Sequence, residues 1–238
     1  MARGIFITGT DTGVGKTIVA ASLARLMKMN GINVGVMKPV TSGCRDDGGR
    51  LVSDDALLLC SAAGTVCTDD VAPFRLREPV APADAARIDG VRINFAEIRA
   101  AYQRLAATYE YLIVEGAGGL MVPLAGGLLM ADLARELALP LLVVARPTLG
   151  TINHTVLTCF AAQQMGLPLA GVIVNRMPVA PGLAEQCAPH QIGSLCGAPV
   201  LGIWPECSSV DEFEMAEELA EWLDGQAETG IVLRELGL

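Results

Sequence analysis

The 238-residue sequence predicts an α/β fold, a mainly parallel β-sheet flanked by helices on both faces. Three observations carry that prediction. Short, solidly apolar runs alternate with segments of helical period along the chain. This is the pattern of strands buried on both faces and joined by right-handed crossover helices. The composition is 52% hydrophobic but only 4% aromatic, as aliphatic strands packed by Ala- and Leu-rich helices require. A glycine-rich turn ending in Gly15-Lys16-Thr17 separates the first apolar run from the first helical segment, and that strand–turn–helix setting is the one a phosphate-binding loop occupies.

The apolar run Gly4 to Thr8 is the first strand, and Ile18 to Leu26 the first helix, with Gly31 as its C-terminal cap. Ile32 to Met37 is a second buried strand that delivers Lys38 and Pro39 at its carboxyl end. Residues 41–53 are a polar, glycine-rich loop, after which Ser53 or Asp54 caps a helix running through Ala56 to Leu59. Pro73, Pro79 and Pro82 make residues 66–92 an irregular excursion with room for one short helix. Asn94 then caps an amphipathic helix in which Phe95, Ile98, Tyr102 and Leu105 recur at helical spacing. Tyr111 to Val114 is a strand that ends at Glu115-Gly116-Ala117-Gly118-Gly119. Further strands are expected at 141–145, 170–174 and 200–203, and helices near 130–137, 152–165, within 182–195 and over 211–223. No linker or internal repeat divides the chain, so residues 1–238 read as one P-loop NTPase-like domain.

The formal net charge of −9 weighs against broad nucleic-acid binding, which needs a basic surface. It does not oppose an anionic nucleotide, because a phosphate loop acts locally. The seven cysteines are odd in number and contain no Cys-x-x-Cys pair. A zinc site or disulfide framework is therefore not expected, and a reducing cytoplasm is the natural setting. The N-terminal residues lead straight into a strand and lack the features of a signal peptide. The most apolar stretch, Leu128 to Ala145, is interrupted by Asp132, Arg135 and Glu136, so no membrane span is expected.

Ligands of parallel α/β sheets collect beyond the carboxyl ends of the strands, so the polar residues there are the candidates. In the loop, backbone N–H groups curl around a phosphate at a helix N-terminus. Lys16 adds a positive charge and Thr17 a hydroxyl for magnesium. The usual spacing puts a glycine where this chain has Thr10; here it stands one step earlier, at Gly9. Lys38 is a second ammonium beside the loop, placed to stabilise charge that builds up in a transition state. Glu115, followed by three glycines in four positions, occupies the place where ATPases of this kind hold magnesium, directly or through water. Either Asp54 or Asp55 could reach the metal, the other serving as a cap. The segment Gly150 to Asn153 is a helix start whose free N–H groups could bind a carboxylate. His154, one of two histidines, reads as a structural hydrogen-bonder.

Five stretches together resemble ATP-dependent dethiobiotin synthetases: Gly9 to Thr17, Lys38 to Gly43, Ser53 to Leu57, Glu115 to Gly119 and Leu149 to His154. They follow the family's order across nearly the whole chain, and the lengthened loop beginning at Gly9 is itself a feature of that family. The resemblance implies carboxylation of 7,8-diaminononanoate with CO2 (or bicarbonate) and ATP, then ring closure to dethiobiotin. It implies that Lys38 holds carbamate and γ-phosphate, with Lys16 and Thr12 on the same phosphate. Gly13, Val14, Gly15 and Ile18 of the loop region and Gly116, Ala117 and Gly118 after the strand would contact nucleotide. Thr17, Asp55 and Glu115 would place Mg2+, Asp55 being preferred to Asp54 because Asp-Ala-Leu aligns with the family without a gap. Ser42 would bind substrate. Gly150, Thr151 and Asn153 would take its carboxylate from the second subunit of a homodimer. Asn175, Pro205, Glu206 and Cys207 would line the adenine pocket. Where some members carry Glu, this chain has Gly13, so a substrate contact from that side chain is absent. ParA-like switch ATPases share the sheet and the loop, but their extra lysine early in the loop is missing from Thr10-Asp11-Thr12.

Overall fold

Residues Gly4 to Gly9 are buried without alternation, which a strand satisfies only when helices cover both of its faces. The computed structural model, which describes residues 3–227 and 229–238, builds that cover around β1 (Arg3–Gly9). From β1 the chain enters α1 (Lys16–Met29) and returns along β2 (Val34–Met37). An excursion follows: β3 (Val40–Thr41), the hairpin of β4 (Arg45–Asp47) and β5 (Arg50–Val52), α2 (Asp54–Ala63), β6 (Phe74–Arg75) and α3 (Pro82–Asp89). Next, α4 (Phe95–Ala106) leads into β7 (Tyr111–Gly119), the hairpin of β8 (Pro123–Ala125) and β9 (Leu128–Leu129), and α5 (Met130–Leu137). Strands β10 (Leu141–Ala145), β11 (Leu169–Met177) and β12 (Val200–Pro205) then alternate with α6 (Thr151–Gln164), α7 (Leu183–Leu195) and α8 (Glu212–Asp224), before α9 (Thr229–Glu235).

Six strands form one sheet in the order β12-β11-β10-β1-β7-β2, every neighbouring pair parallel. The chain steps outward from β1 to β2 through α1, then turns back to β7, β10, β11 and β12. A right-handed crossover that reverses direction must change face. So α4, α5, α6 and α7 lie opposite α1, which packs with α2 and α8. Alternation along the strands divides the core the same way: Val143, Ala145, Val172 and Val174 join a cluster with Cys159, Ala188 and Ile192 of α6 and α7, while Val144 and Ile173 face the main cluster. The order reverses at β1, so the cleft beyond its carboxyl end is the natural ligand site.

Local chemistry sets the element ends. The Ser53 hydroxyl accepts from Ala56 N at 3.1 Å, so Ser53 caps α2 and neither aspartate does. Asn94 and Asp211 cap α4 and α8 in the same way. Gly31, at φ 77°, follows the cap residue Asn30 rather than being the cap. The excursion does contain one short helix, α3. The two small hairpins and α9 were not anticipated. Both hairpins turn on Gly-Gly pairs with positive φ, Gly48-Gly49 and Gly126-Gly127, a recognised two-residue turn signal. Their strands of two or three residues, however, are too short to show alternation. Tyr111 ties the C-terminal region to the sheet: its buried hydroxyl donates to Leu236 O at 2.7 Å. Tyr111→Phe removes that donor and strands a carbonyl, at a cost of about 1–2 kcal/mol. For a chain of this size the melting temperature is expected to fall by roughly 2–8 °C; an unchanged thermal melt would show that the C-terminal region does not depend on this bond.

Candidate active site

The glycine loop joins β1 to α1 through a backbone that favours glycine at two points. Gly13 and Gly15 have φ of 76° and 89°. At Gly15 a Cβ would also stand 2.3 Å from Asn175 Nδ2, so the loop is packed directly against the end of β11. The residues between Gly9 and Gly15 are pinned from inside and out. Lys16 Nζ donates to Asp11 O at 3.1 Å. The Asp11 carboxylate accepts from Thr12 N at 2.7 Å and pairs with Arg146, after β10, at 3.2 Å.

Beside the loop lies a cluster of charge that the sheet brings together. Parallel pairing of β2 and β7 sets Met37 level with Val114, so the next residues stand side by side: Lys38 just past the end of β2, and Glu115 within β7, which runs on to Gly119. Lys38 Nζ stands 2.5 Å from Glu115 Oε1 and 2.7 Å from Asp55 Oδ2. Thr17, on the first turn of α1, donates its hydroxyl to the same Glu115 oxygen at 2.9 Å. Lys38 and Glu115 are 4% and 0% exposed, so water does not solvate their charges, and mutual attraction and hydrogen bonds must offset that loss. Burial alone would lower the Lys38 pKa, but Glu115 and Asp55 outweigh it and hold the ammonium above the ordinary lysine range. Lys16 has no such close partner, and burial moves its pKa below that range. Asp54 turns away to Arg45, 3.5 Å distant.

The donor set of the cluster fits a metal ion. Glu115 Oε2 is buried with no hydrogen-bond partner among the described residues. Thr17 and Asp55 add a hydroxyl and a carboxylate around the same lysine. Among the described residues no group of three or more His, Cys, Asp or Glu is gathered as a metal cage. Two carboxylates and a hydroxyl suit magnesium, which binds through few protein ligands and completes its shell with phosphates and water.

These groups surround a cavity of about 260 Å³ lined by Thr12, Gly13, Gly15, Lys16, Thr17, Ile18, Lys38, Ser42, Asp55, Glu115, Ala117 and Gly118, among others. A second cavity, of about 280 Å³, is lined by Asn175, Pro205, Glu206 and Cys207 and shares Ile18 and Arg176 with the first. Val14 lies beneath the loop and gives its carbonyl to Asn175 Nδ2 at 3.1 Å. Gly116 is buried, where a Cβ would meet Phe6 and Met130. Gly150, Thr151 and Asn153 line neither cavity. Gly150 and Asn153 are exposed, Thr151 is buried, and its N–H is already bonded to Thr148 O at 3.1 Å. Sequence reasoning missed Thr41, Arg176 and Glu212 as lining residues of the first cavity. The signal for Arg176 was present, since it follows Asn175 at a strand's carboxyl end; Glu212 enters from the first turn of α8, which no local pattern announces.

The AAA domain family matches residues 3–213. A Bacillus licheniformis protein named ATP-dependent dethiobiotin synthetase BioD is 41% identical over 93% of this chain and 94% of its own length. A protein of the same name from Thermodesulfovibrio yellowstonii is 37% identical over 95% and 98%. The chain belongs to the ATP-dependent dethiobiotin synthetase family. It is thus placed among ATP-dependent ligases. The structure of the Pyrococcus horikoshii septum site-determining protein MinD with Mg-ADP superposes with a TM-score of 0.61 at 17% identity, over 99% of this chain and 94% of that one. A ParA family ATPase from Chlorobium tepidum gives 0.60 at 16%, over the whole of both chains. At such identities the likeness is one of fold. Among the described residues no helix is long and apolar enough to cross a membrane.

The two loop glycines differ in a way that can be measured. A side chain at Gly13 meets nothing within 4 Å and bears only the cost of its φ, whereas one at Gly15 also collides with Asn175. Gly13→Ala is expected to cost about 1 kcal/mol and Gly15→Ala about 2–3 kcal/mol in urea denaturation. Equal losses at the two positions would remove the Asn175 contact as the reason for a glycine at 15.

Proposed function

We propose that the chain carboxylates 7,8-diaminononanoate and closes it to dethiobiotin at the expense of ATP. The observation that carries this reading is the buried Lys38, set between Glu115 and Asp55 beside the phosphate loop, in a chain of this family. One substrate amine attacks CO2 and loses a proton, giving a carbamate. A carbamate oxygen attacks the γ-phosphorus and ADP leaves, giving a carbamic–phosphoric anhydride. The second amine attacks the same carbonyl, the C–O bond to phosphate breaks, and phosphate and a proton depart as the cyclic urea forms. Phosphoryl transfer depends on positioning and charge neutralisation more than on covalent catalysis. Holding both amines near one carbonyl makes ring closure effectively unimolecular.

In this reading Lys38 bridges carbamate and γ-phosphate, while Lys16 and Thr12 hold the same phosphate. Thr17, Asp55 and Glu115 would hold Mg2+, which neutralises phosphate oxygens when bound. The carboxylates that now pair with Lys38 would then face the metal, leaving the ammonium for the phosphate and carbamate oxygens. The loop from Gly13 to Ile18, with Gly116, Ala117 and Gly118, would accommodate the nucleotide, and Asn175 with Pro205 to Cys207 the adenine. Ser42 would bind the diamine. The Gly150 to Asn153 segment would take the substrate carboxylate across a homodimer interface. Its position away from the chain's own phosphate cavity supports that assignment, as does the exposed Leu149 beside it. A cytoplasmic setting belongs to the same reading.

Incubated with ATP, magnesium, bicarbonate and the diamine, the protein is expected to form a product of dethiobiotin mass. ATP turnover that ignores the diamine and yields no cyclic urea would overturn the proposal in favour of a switch ATPase. Lys38→Ala is expected to lower kcat by about 10²-fold or more, the scale of losing one transition-state donor, with a cooperative melt retained. Near-normal turnover would take Lys38 out of the mechanism.

A further inference from the structure

Arg176, which lines both cavities, occupies a costly position. It is the only non-glycine residue besides Ala138 with positive φ among the described residues, at 62°. It sits inside β11, where consecutive side chains should point to opposite faces. Here they do not. Asn175 Nδ2 reaches Val14 O and Arg176 Nη1 reaches Gly13 O, each at 3.1 Å. The left-handed residue lets both side chains reach one loop, and the pairing of β11 with β12 shifts register between Val174 and Met177.

We propose that Arg176 is a nucleotide-positioning residue that orients the Gly13–Val14 and Val14–Gly15 peptides together with Asn175; this rests on the ATP-binding reading above. In a trans peptide the carbonyl and the following N–H point in opposite directions. Holding Gly13 O and Val14 O on the β11 side therefore turns the N–H groups of Val14 and Gly15 the other way. Neither N–H has a partner among the described residues, and the loop glycines flanking Val14 line the phosphate cavity. Two successive outward N–H groups form an anion-binding nest. Arg176 also lines both cavities, so its guanidinium stands where a phosphate chain would meet the base-side pocket. Its exposure does not make it an idle surface charge, because its geometry is fixed by the loop it holds.

The test compares wild type with Arg176→Ala, Arg176→Gly and Arg176→Lys, by calorimetric titration with a non-hydrolysable ATP analogue and magnesium, and by steady-state kinetics. Arg176→Gly relieves the backbone while removing the guanidinium. Both Ala and Gly variants are expected to bind the analogue about tenfold more weakly, the scale of losing a charged hydrogen bond. The KM for ATP should rise with them, and kcat and the KM for the diamine should move less. Lysine can still donate to Gly13 O, so Arg176→Lys is expected to recover most of the affinity. If wild type binds the analogue and the Ala and Gly variants bind it equally well, Arg176 has no positioning role and the ATP reading stands. A lowered melting temperature with unchanged affinity also overturns the inference, leaving a purely structural contact. If wild type itself fails to bind the analogue, the ATP reading and the inference fall together.

Discussion

The structure depends most on one buried ion pair, Lys38 with Glu115. Two full charges taken out of water are unfavourable unless geometry and hydrogen bonding compensate. Here the compensation draws on four elements at once: β2 presents the lysine, β7 the glutamate, α1 the Thr17 hydroxyl and α2 the Asp55 carboxylate. Each must arrive in register for the pair to be tolerated. An apolar pair would be cheaper for stability, so the conflict marks the site. The pair also leaves Glu115 Oε2 without a partner among the described residues, an acceptor in reserve at the centre of a charged cleft.

Architecture follows from the same place. A parallel sheet whose order reverses at β1 opens a cleft beyond the strand ends. The loop from Gly9 to Lys16 fills that cleft and is held from three sides. Arg146 after β10 grips Asp11, Asn175 and Arg176 at the end of β11 grip Val14 and Gly13, and Lys16 reaches back from within. The residue that lengthens this loop beyond the usual spacing thus lies in a segment with its own anchors, and does not leave the loop slack.

Much of this was legible in the residues. Strands β1, β7, β10 and β11 are runs of aliphatic residues whose burial admits one interpretation, and the cap at Asn94 carried its usual signal. What escaped was short or non-local. The hairpins of β4 with β5 and β8 with β9 show no alternation over two or three residues. In the site, Lys16 and Thr17 stood out because they open a helix, Lys38 because it follows a strand, and Glu115 because it closes the apolar run of β7, although the strand itself continues to Gly119. Asp54 and Asp55 were inseparable by local pattern; packing against Lys38 or Arg45 distinguishes them, and that depends on a partner far away in sequence. Arg176 could be suspected from its place after Asn175 at a strand's carboxyl end, but nothing in Val174-Asn175-Arg176 announces its left-handed backbone or its contact with the loop. The helix start at Gly150 had a sound local signal, yet it lies outside the chain's own phosphate cavity.

The central claim is that the cleft activates a carbamate by phosphorylating it, with Lys38 and Lys16 absorbing the charge. Oxygen tracing tests this most directly. With freshly supplied ¹⁸O-labelled CO2 in ordinary water, a short incubation with ATP and the diamine should place label in the released phosphate, because the carbamate oxygen that attacks the γ-phosphorus leaves with it. Phosphate that carries no label while the cyclic urea forms, or that takes its new oxygen from solvent, would contradict the account.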